Sequence, residues 1–290
     1  MAHWEMQGWM ILLLGWLFVP FYQLLNNKMG KIITMPDFLK YRYTPRTGSW
    51  LSIITLIAYI LTGCAVLYSP SENKYSLYNK DMAEQEVSPY STFKIISTLI
   101  GLHNDIIKDE TSTMNYDGTQ YPNPEWNENL TLQKAFQTSC IWYFHQIINN
   151  VGEQEVKKEL SELEYGNCDV SAWEGSNINP YKELNGFWLG SSLKISPYEQ
   201  VEVLSKIFEG KSFYDSQNVE ILKKIMLIED EQEKKVYGKT GSGTNGEAWF
   251  IGFTEKGQQR EYFAVYLEDS LQKERVSSSL AQEIALKIIE

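Results

Sequence analysis

Two uncharged apolar runs near the N-terminus constrain this chain more than any other feature. Residues 9–25 and 50–66 each form a 17-residue stretch without a charged side chain. That is the short end of the length a helix needs to span a bilayer. Tryptophans and tyrosines lie near the ends of both runs, where amphipathic rings suit a membrane interface. Between the runs stand Lys28, Lys31, Lys40, Arg42 and Arg46 against Asp37 alone. A loop so charged stays cytoplasmic, which leaves both outer ends of the helix pair, and the rest of the chain, outside the cell membrane. Two buried core helices are the alternative reading of the same runs. A secretory signal fits less well, because no basic stretch precedes the first run and a second run follows.

From residue 63 onward the pattern changes to short strands and amphipathic helices. Residues 65–68 and 75–78 read as a hairpin turning at Pro70, Ser71, Glu72 and Asn73. Helical periodicity covers about 89–102, 132–151 and 197–208, and a last helix covers about 277–289. VYGKTGSG, AWFIGF and YFAVYL read as three strands near the end. Strands at both ends with helices between them predict an α+β domain, an antiparallel sheet flanked by helices with a helical insertion. The expected division is a membrane segment over 1–62 and a folded domain over 63–290. The apolar run ending at Val66 overlaps the first strand, so one of those two readings must shorten.

Composition removes several function classes. A net charge of −11 opposes nucleic-acid binding, which needs a basic face. Cys64, Cys140 and Cys168 form no CxxC pair and imply no disulfide framework. His3, His103 and His145 are scattered and lie in no HExxH, so neither a metal centre nor a histidine-based triad is well supplied. A nucleophile in this chain needs a different base.

Ser91 and Lys94 form a Ser-x-x-Lys pair, a spacing repeated at Ser71/Lys74 and Ser270/Lys273. Context sets Ser91 apart. Ser88 and Pro89 suit the N-cap and first position of a helix, which would set Ser91 in its first turn and Lys94 on the same face. Phe93, Ile95, Ile96, Leu99 and Ile100 surround the lysine with apolar surface, where burial favours the neutral amine that a base requires. A capped surface helix with a snorkelling lysine is the bland alternative. Ser139-Cys140-Ile141 follows the apolar residues Leu132, Ala135 and Phe136 and offers a second hydroxyl, as proton relay or as a helix serine bonded to its own backbone. Lys239-Thr240-Gly241, followed by Ser242 and Gly243, offers a strand edge that a ligand can approach and a cation for a carboxylate. A flexible glycine turn would read the same, and Arg46-Thr47-Gly48-Ser49 resembles it.

Order and spacing bring these features together. The Ser triplet begins 48 residues after Ser91, and Lys239 lies 100 residues further on, with Tyr165-Gly166-Asn167 between. This arrangement resembles the penicillin-recognising serine enzymes, and the tyrosine motif points to the class D β-lactamases and their sensor-domain relatives. The resemblance runs from about Cys64 to the C-terminus. It implies a β-lactamase/transpeptidase-like fold that takes β-lactam small molecules. Ser91 is then the nucleophile, Lys94 a general base carrying a CO2-derived N-carboxylate, and Ser139 the proton relay. Lys239 and Thr240 would hold the substrate carboxylate, the N–H groups of Ser91 and Ser242 the oxyanion, and Trp188 the carbamate. Gly241 and Ile141 would line the substrate site, and Tyr165 and Asn167 would support the pocket. No metal or organic cofactor is implied beyond CO2 or bicarbonate.

The competing reading is a membrane-anchored sensor or binding domain that acylates without turnover. Sensor relatives carry a zinc protease between their helices, whereas this chain has only the short loop 26–49 there. They also tend to have Asn where this chain has Ile141, and an apolar residue favours retention of the carbamate. A cell-wall D,D-transpeptidase fits the tyrosine and tryptophan motifs less well. One departure from class D concerns the arginine expected near the last helix, where VSSSLAQEIA places Ala281 and the nearest arginine is Arg275. Separately, TMPDFLKYRYTPRTGSWLSIITLIAYILTG and the preceding GWLFVPFYQLL resemble the second and third transmembrane helices of sodium:solute symporters. That likeness covers roughly residues 8–62, too few helices for a transport site.

Overall fold

The computed structural model describes residues 62–231, 234–257, 259–269 and 276–289. They belong to one unit running from Ile60 to Glu290. The apolar run 9–25, the basic loop and the symporter-like segment up to residue 61 lie outside the described residues, as do Ser270, Lys273 and Arg275. Among the described residues no helix is long and apolar enough to cross a membrane.

The overlap at Val66 is resolved in favour of the sheet. Strand β1 (Thr62–Ser69) pairs antiparallel with β2 (Lys74–Tyr78) on one side and β8 (Gln259–Glu268) on the other. A span over 50–66 is therefore corrected, because its last five residues are paired with β8, and Ala65 and Val66 with β2 as well.

The main sheet is antiparallel, in the order β2-β1-β8-β7-β6-β5, with β5 at Leu227–Asp230, β6 at Lys235–Ser242 and β7 at Glu247–Lys256. A separate two-stranded ribbon joins β3 (Thr113–Met114) to β4 (Leu130–Thr131). Residues 248–253 are buried without a break, as expected of a central strand covered on both faces. Trp249, Ile251 and Phe253 face the main core, while Phe250 lies beside Phe263 on the opposite side, the two rings tilted.

Eight α-helices are described: α1 (Lys80–Ala83), α2 (Lys94–His103), α3 (Leu132–Gln137), α4 (Ile141–Val151), α5 (Glu153–Leu163), α6 (Pro197–Phe208), α7 (Ser216–Met226) and α8 (Ser278–Ile288). Helix α6 spans the predicted residues because its start is encoded locally. The Ser196 hydroxyl accepts from Glu199 N–H, the Glu199 carboxylate accepts from Ser196 N–H, and Pro197 follows. Helices α6 and α8 pack on the sheet, and α2 packs against α4 in the helical part.

Two helix predictions need correction. The stretch 132–151 is not one helix. It breaks at 138–140, where Ser139 takes a left-handed φ of 56°. Cys140 N–H reaches back to Ala135 O at 2.8 Å and Ser139 N–H to Phe136 O at 3.2 Å, the paired bonds of a Schellman ending. Trp126 Nε1 donates to Thr138 O at 3.1 Å and satisfies another orphan carbonyl. The stretch 89–102 starts instead as a 3-10 turn, Tyr90–Phe93, before α2. Ser88 does not cap it. Its hydroxyl accepts from Lys194 Nζ at 2.8 Å, and Pro89 occupies the cap position without a side-chain bond.

Candidate active site

The 3-10 turn and α2 meet between Ser91 and Lys94, and this junction sets their geometry. Lys94 Nζ donates to Ser91 Oγ at 2.9 Å. The lysine is 1% exposed and lies 5.6 Å over the Phe144 ring of α4. Burial pushes its pKa well below the ordinary 10.5, and the nearby positive charge of Lys239 pushes it further the same way. Two other described Ser-x-x-Lys spacings have no such setting: Ser71 and Lys74 are both exposed at the β1–β2 turn, and Lys194, three residues after Ser191, donates to Ser88 Oγ.

The helix break and strand β6 supply the facing pair. Because Ser139 is left-handed at the end of α3, its hydroxyl leaves the helix axis and accepts from Lys239 Nζ at 3.1 Å. Lys239 also donates to Thr240 O at 3.1 Å and lies 5.5 Å over the Phe136 ring. Desolvation lowers its pKa to about 7. Ile141 opens α4 next to the serine and is half-buried.

Strand β5 pairs with β6 only at Lys235, Val236 and Tyr237. Residues 239–242 therefore have no strand partner on that side among the described residues. The edge instead runs against the 3-10 turn that carries Ser91: a Cβ at Gly241 would lie 3.1 Å from Thr92 Cγ2 and 3.3 Å from Pro89 O. Thr240 is half-buried and Ser242 exposed. An open strand edge of this kind accepts an extended ligand by backbone pairing.

Trp188 backs onto the same turn. Its carbonyl accepts from Tyr90 N–H at 3.1 Å, and its ring lies 5.5 Å from Phe93 and 6.3 Å from His145 of α4. The indole Nε1 is buried and has no hydrogen-bond partner among the described residues. A buried donor left unpaired is costly and marks a place where an acceptor belongs.

Tyr165 and Asn167 flank Gly166 at a second Schellman ending, that of α5, where Glu164 takes a φ of 59° and Tyr165 N–H bonds Leu160 O. The buried Tyr165 hydroxyl accepts from Gln200 Nε2 at 3.4 Å, and burial raises its pKa. Asn167 is exposed, and its side chain accepts from Lys194 N–H at 3.0 Å and donates to Ser192 O at 2.9 Å. It thereby holds the segment that returns from Trp188 to the Val87–Ile195 bridge. Gly166 has φ +52°, and a Cβ there would sit 2.0 Å from Lys194 O.

Sequence reasoning missed four residues at this site. Gln200 Nε2 donates to Thr92 Oγ1 at 2.9 Å, and Thr92 Oγ1 donates to Pro89 O at 2.7 Å, tying α6 to the turn. Tyr90 and Glu247 bond each other across 157 positions. A glutamine on the apolar face of α6 was a readable signal for the first pair. Nothing local marked the second.

The family profile for the penicillin binding protein transpeptidase domain matches residues 24–290. The regulatory protein BlaR1 of Bacillus licheniformis is 34% identical over 233 residues, covering 79% of this chain and 36% of that protein. The chain thus spans about a third of that relative's length. A solved class D β-lactamase from Bacillus subtilis superposes with a TM-score of 0.72 at 30% identity, covering 82% of this chain and 93% of that one. The C-terminal domain of the Bacillus licheniformis BlaR penicillin-receptor does so with a TM-score of 0.72 at 33% identity and the same two coverages.

Proposed function

The chain belongs to the penicillin binding protein transpeptidase domain family, and from that premise we propose that it hydrolyses β-lactams through an acyl-enzyme at Ser91. One observation carries the reading: the 2.9 Å contact between Ser91 Oγ and a lysine amine that is 1% exposed. A desolvated amine of lowered pKa can accept the Ser91 proton as the oxygen attacks the lactam carbonyl. In this reading Ser139, held by Lys239, passes a proton to the departing lactam nitrogen. Lys239 and Thr240 meet the substrate carboxylate, and the N–H groups of Ser91 and Ser242 receive the oxyanion.

Release of the acyl group needs a base for water. An N-carboxylate on Lys94, formed from CO2, would supply a carboxylate base in place of the amine. The pocket fits that group on two counts: CO2 combines with the neutral amine that burial favours, and Trp188 Nε1 is a buried donor without an acceptor. Half-buried Ile141, two residues after Ser139, is apolar and would offer no competing polar contact there. The domain would work outside the cell membrane, with residues 1–62 as its anchor.

A receptor that acylates and stops is the second reading, favoured by the likeness to the penicillin-receptor domain. Stopped-flow absorbance of the full chain with a chromogenic cephalosporin, with and without bicarbonate, tests both. Hydrolysis predicts sustained turnover that increases with bicarbonate. A single stoichiometric burst would replace it with the receptor, and absence of acylation would overturn both.

A further inference from the structure

Tyr90, immediately before the nucleophile, carries an unusual set of constraints. It has a φ of +49°, a conformation that a bulky residue adopts only when its surroundings impose it. Its N–H is tied to Trp188 O at 3.1 Å and the residue is 6% exposed. The hydroxyl donates to Glu247 Oε1 at 3.0 Å. Glu247 opens β7, directly across the turn from the end of β6. Its Oε2 accepts from Asn245 N–H at 2.8 Å and its backbone carbonyl from Gly243 N–H at 2.9 Å. One residue therefore binds both the β6–β7 turn and the residue preceding Ser91. Gly243 leaves the space for this: a Cβ there would lie 2.3 Å from Glu247 Oε2 and 2.5 Å from the Tyr90 ring. A second tie runs parallel to it, from Trp249 Nε1 to Ser88 O at 3.0 Å.

We propose that Tyr90 and Glu247 form a clamp that sets the spacing between the backbone N–H groups of Ser91 and Ser242, making both of them positioning residues for acyl transfer. The inference rests on the reading of Ser91 as an acylating nucleophile. Its physical basis is that the two N–H groups belong to separate elements, a 3-10 turn and a strand end. Oxyanion donors act through preorganisation, so a displacement well below 1 Å weakens them without changing ground-state binding. The left-handed Tyr90 peptide aims the Ser91 N–H, and the carboxylate fixes that peptide against the turn after Ser242.

The test is single-turnover acylation of the full chain by a chromogenic cephalosporin, comparing the parent with Tyr90→Phe, Glu247→Ala and the double variant. Each single change should slow the acylation rate constant about tenfold, less than the roughly 10²–10³-fold loss from deleting an oxyanion donor. The apparent dissociation constant for the initial complex should stay within about twofold, because the donors act on the transition state. The double variant should be no slower than the slower single variant, since both remove one interaction. Glu247→Gln, which keeps one acceptor, should recover part of the rate. Thermal melting of each variant separates positioning from loss of fold. Parent-like acylation in the variants, or a loss that tracks the melting temperature, overturns the clamp alone. A parent that does not acylate overturns the functional reading and the clamp with it.

Discussion

Lys94 is a lysine whose role is set by what surrounds it. Three residues of spacing bring its amine to Ser91, but the apolar wall of α4 and the charge of Lys239 are what disfavour its protonated form. On the proposed mechanism, Lys94→Ala should lower steady turnover of a chromogenic cephalosporin by roughly 10²–10⁴-fold, the usual contribution of a positioned base. Retained turnover would remove the lysine from the mechanism. Lys239 makes a separate prediction about pH. Its pKa is about 7 in the folded protein against an ordinary 10.5, so between those values the unfolded chain binds more protons. Stability from this group is complete above 10.5 and lost as pH falls through 7, so it rises with pH across that window. Lys239→Met abolishes the contribution, and urea melts at pH 7 and pH 9 should show a smaller gain for the variant than for the parent.

At the scale of elements, the informative segments are those where a helix stops. Ser139 and Tyr165 both sit at Schellman endings, whose left-handed residue redirects the chain and delivers a side chain off the helix axis. Periodicity over 132–151 runs straight through such a break, because one left-handed residue leaves the apolar pattern on either side intact. Helix α6 is the contrasting case: Ser196, Pro197 and Glu199 encode its start in four consecutive positions. Ser196→Ala should therefore destabilise the protein by about 1 kcal/mol, measurable as a lower urea midpoint with an unchanged slope. Helices α5 and α7 and strand β5 escaped sequence reading altogether. The first two present mostly polar surfaces with few buried positions, and β5 is a short edge with three of its four residues exposed.

At the scale of the molecule, the site exists because three separately built parts converge. The 3-10 turn carries Ser91, the helical insertion carries Ser139, and the sheet carries Lys239. The helical part is held by its own buried junction, where the Glu159 carboxylate accepts from Asn104 at the end of α2 and from the Tyr214 hydroxyl ahead of α7. Glu159→Ala would strand these two donors and should cost about 2–4 kcal/mol by urea melting, while the acylation burst amplitude below the melt stays at the parent value. The candidate site residues were nominated by the order of motifs along the chain, whereas the strand trio 235–268, the start of α6 and the α+β class were legible because each depends on composition, spacing or caps within a few residues. The sequence also proposed a membrane span through Val66, and the sheet overruled its end because β1 finds partners on both sides. Only the tertiary structure decided that Ser139 leaves a helix, that Trp188 presents a buried donor without an acceptor, and that Tyr90 meets Glu247. Those facts depend on contacts between distant segments, and no local pattern of side chains carries information about a partner 157 positions away.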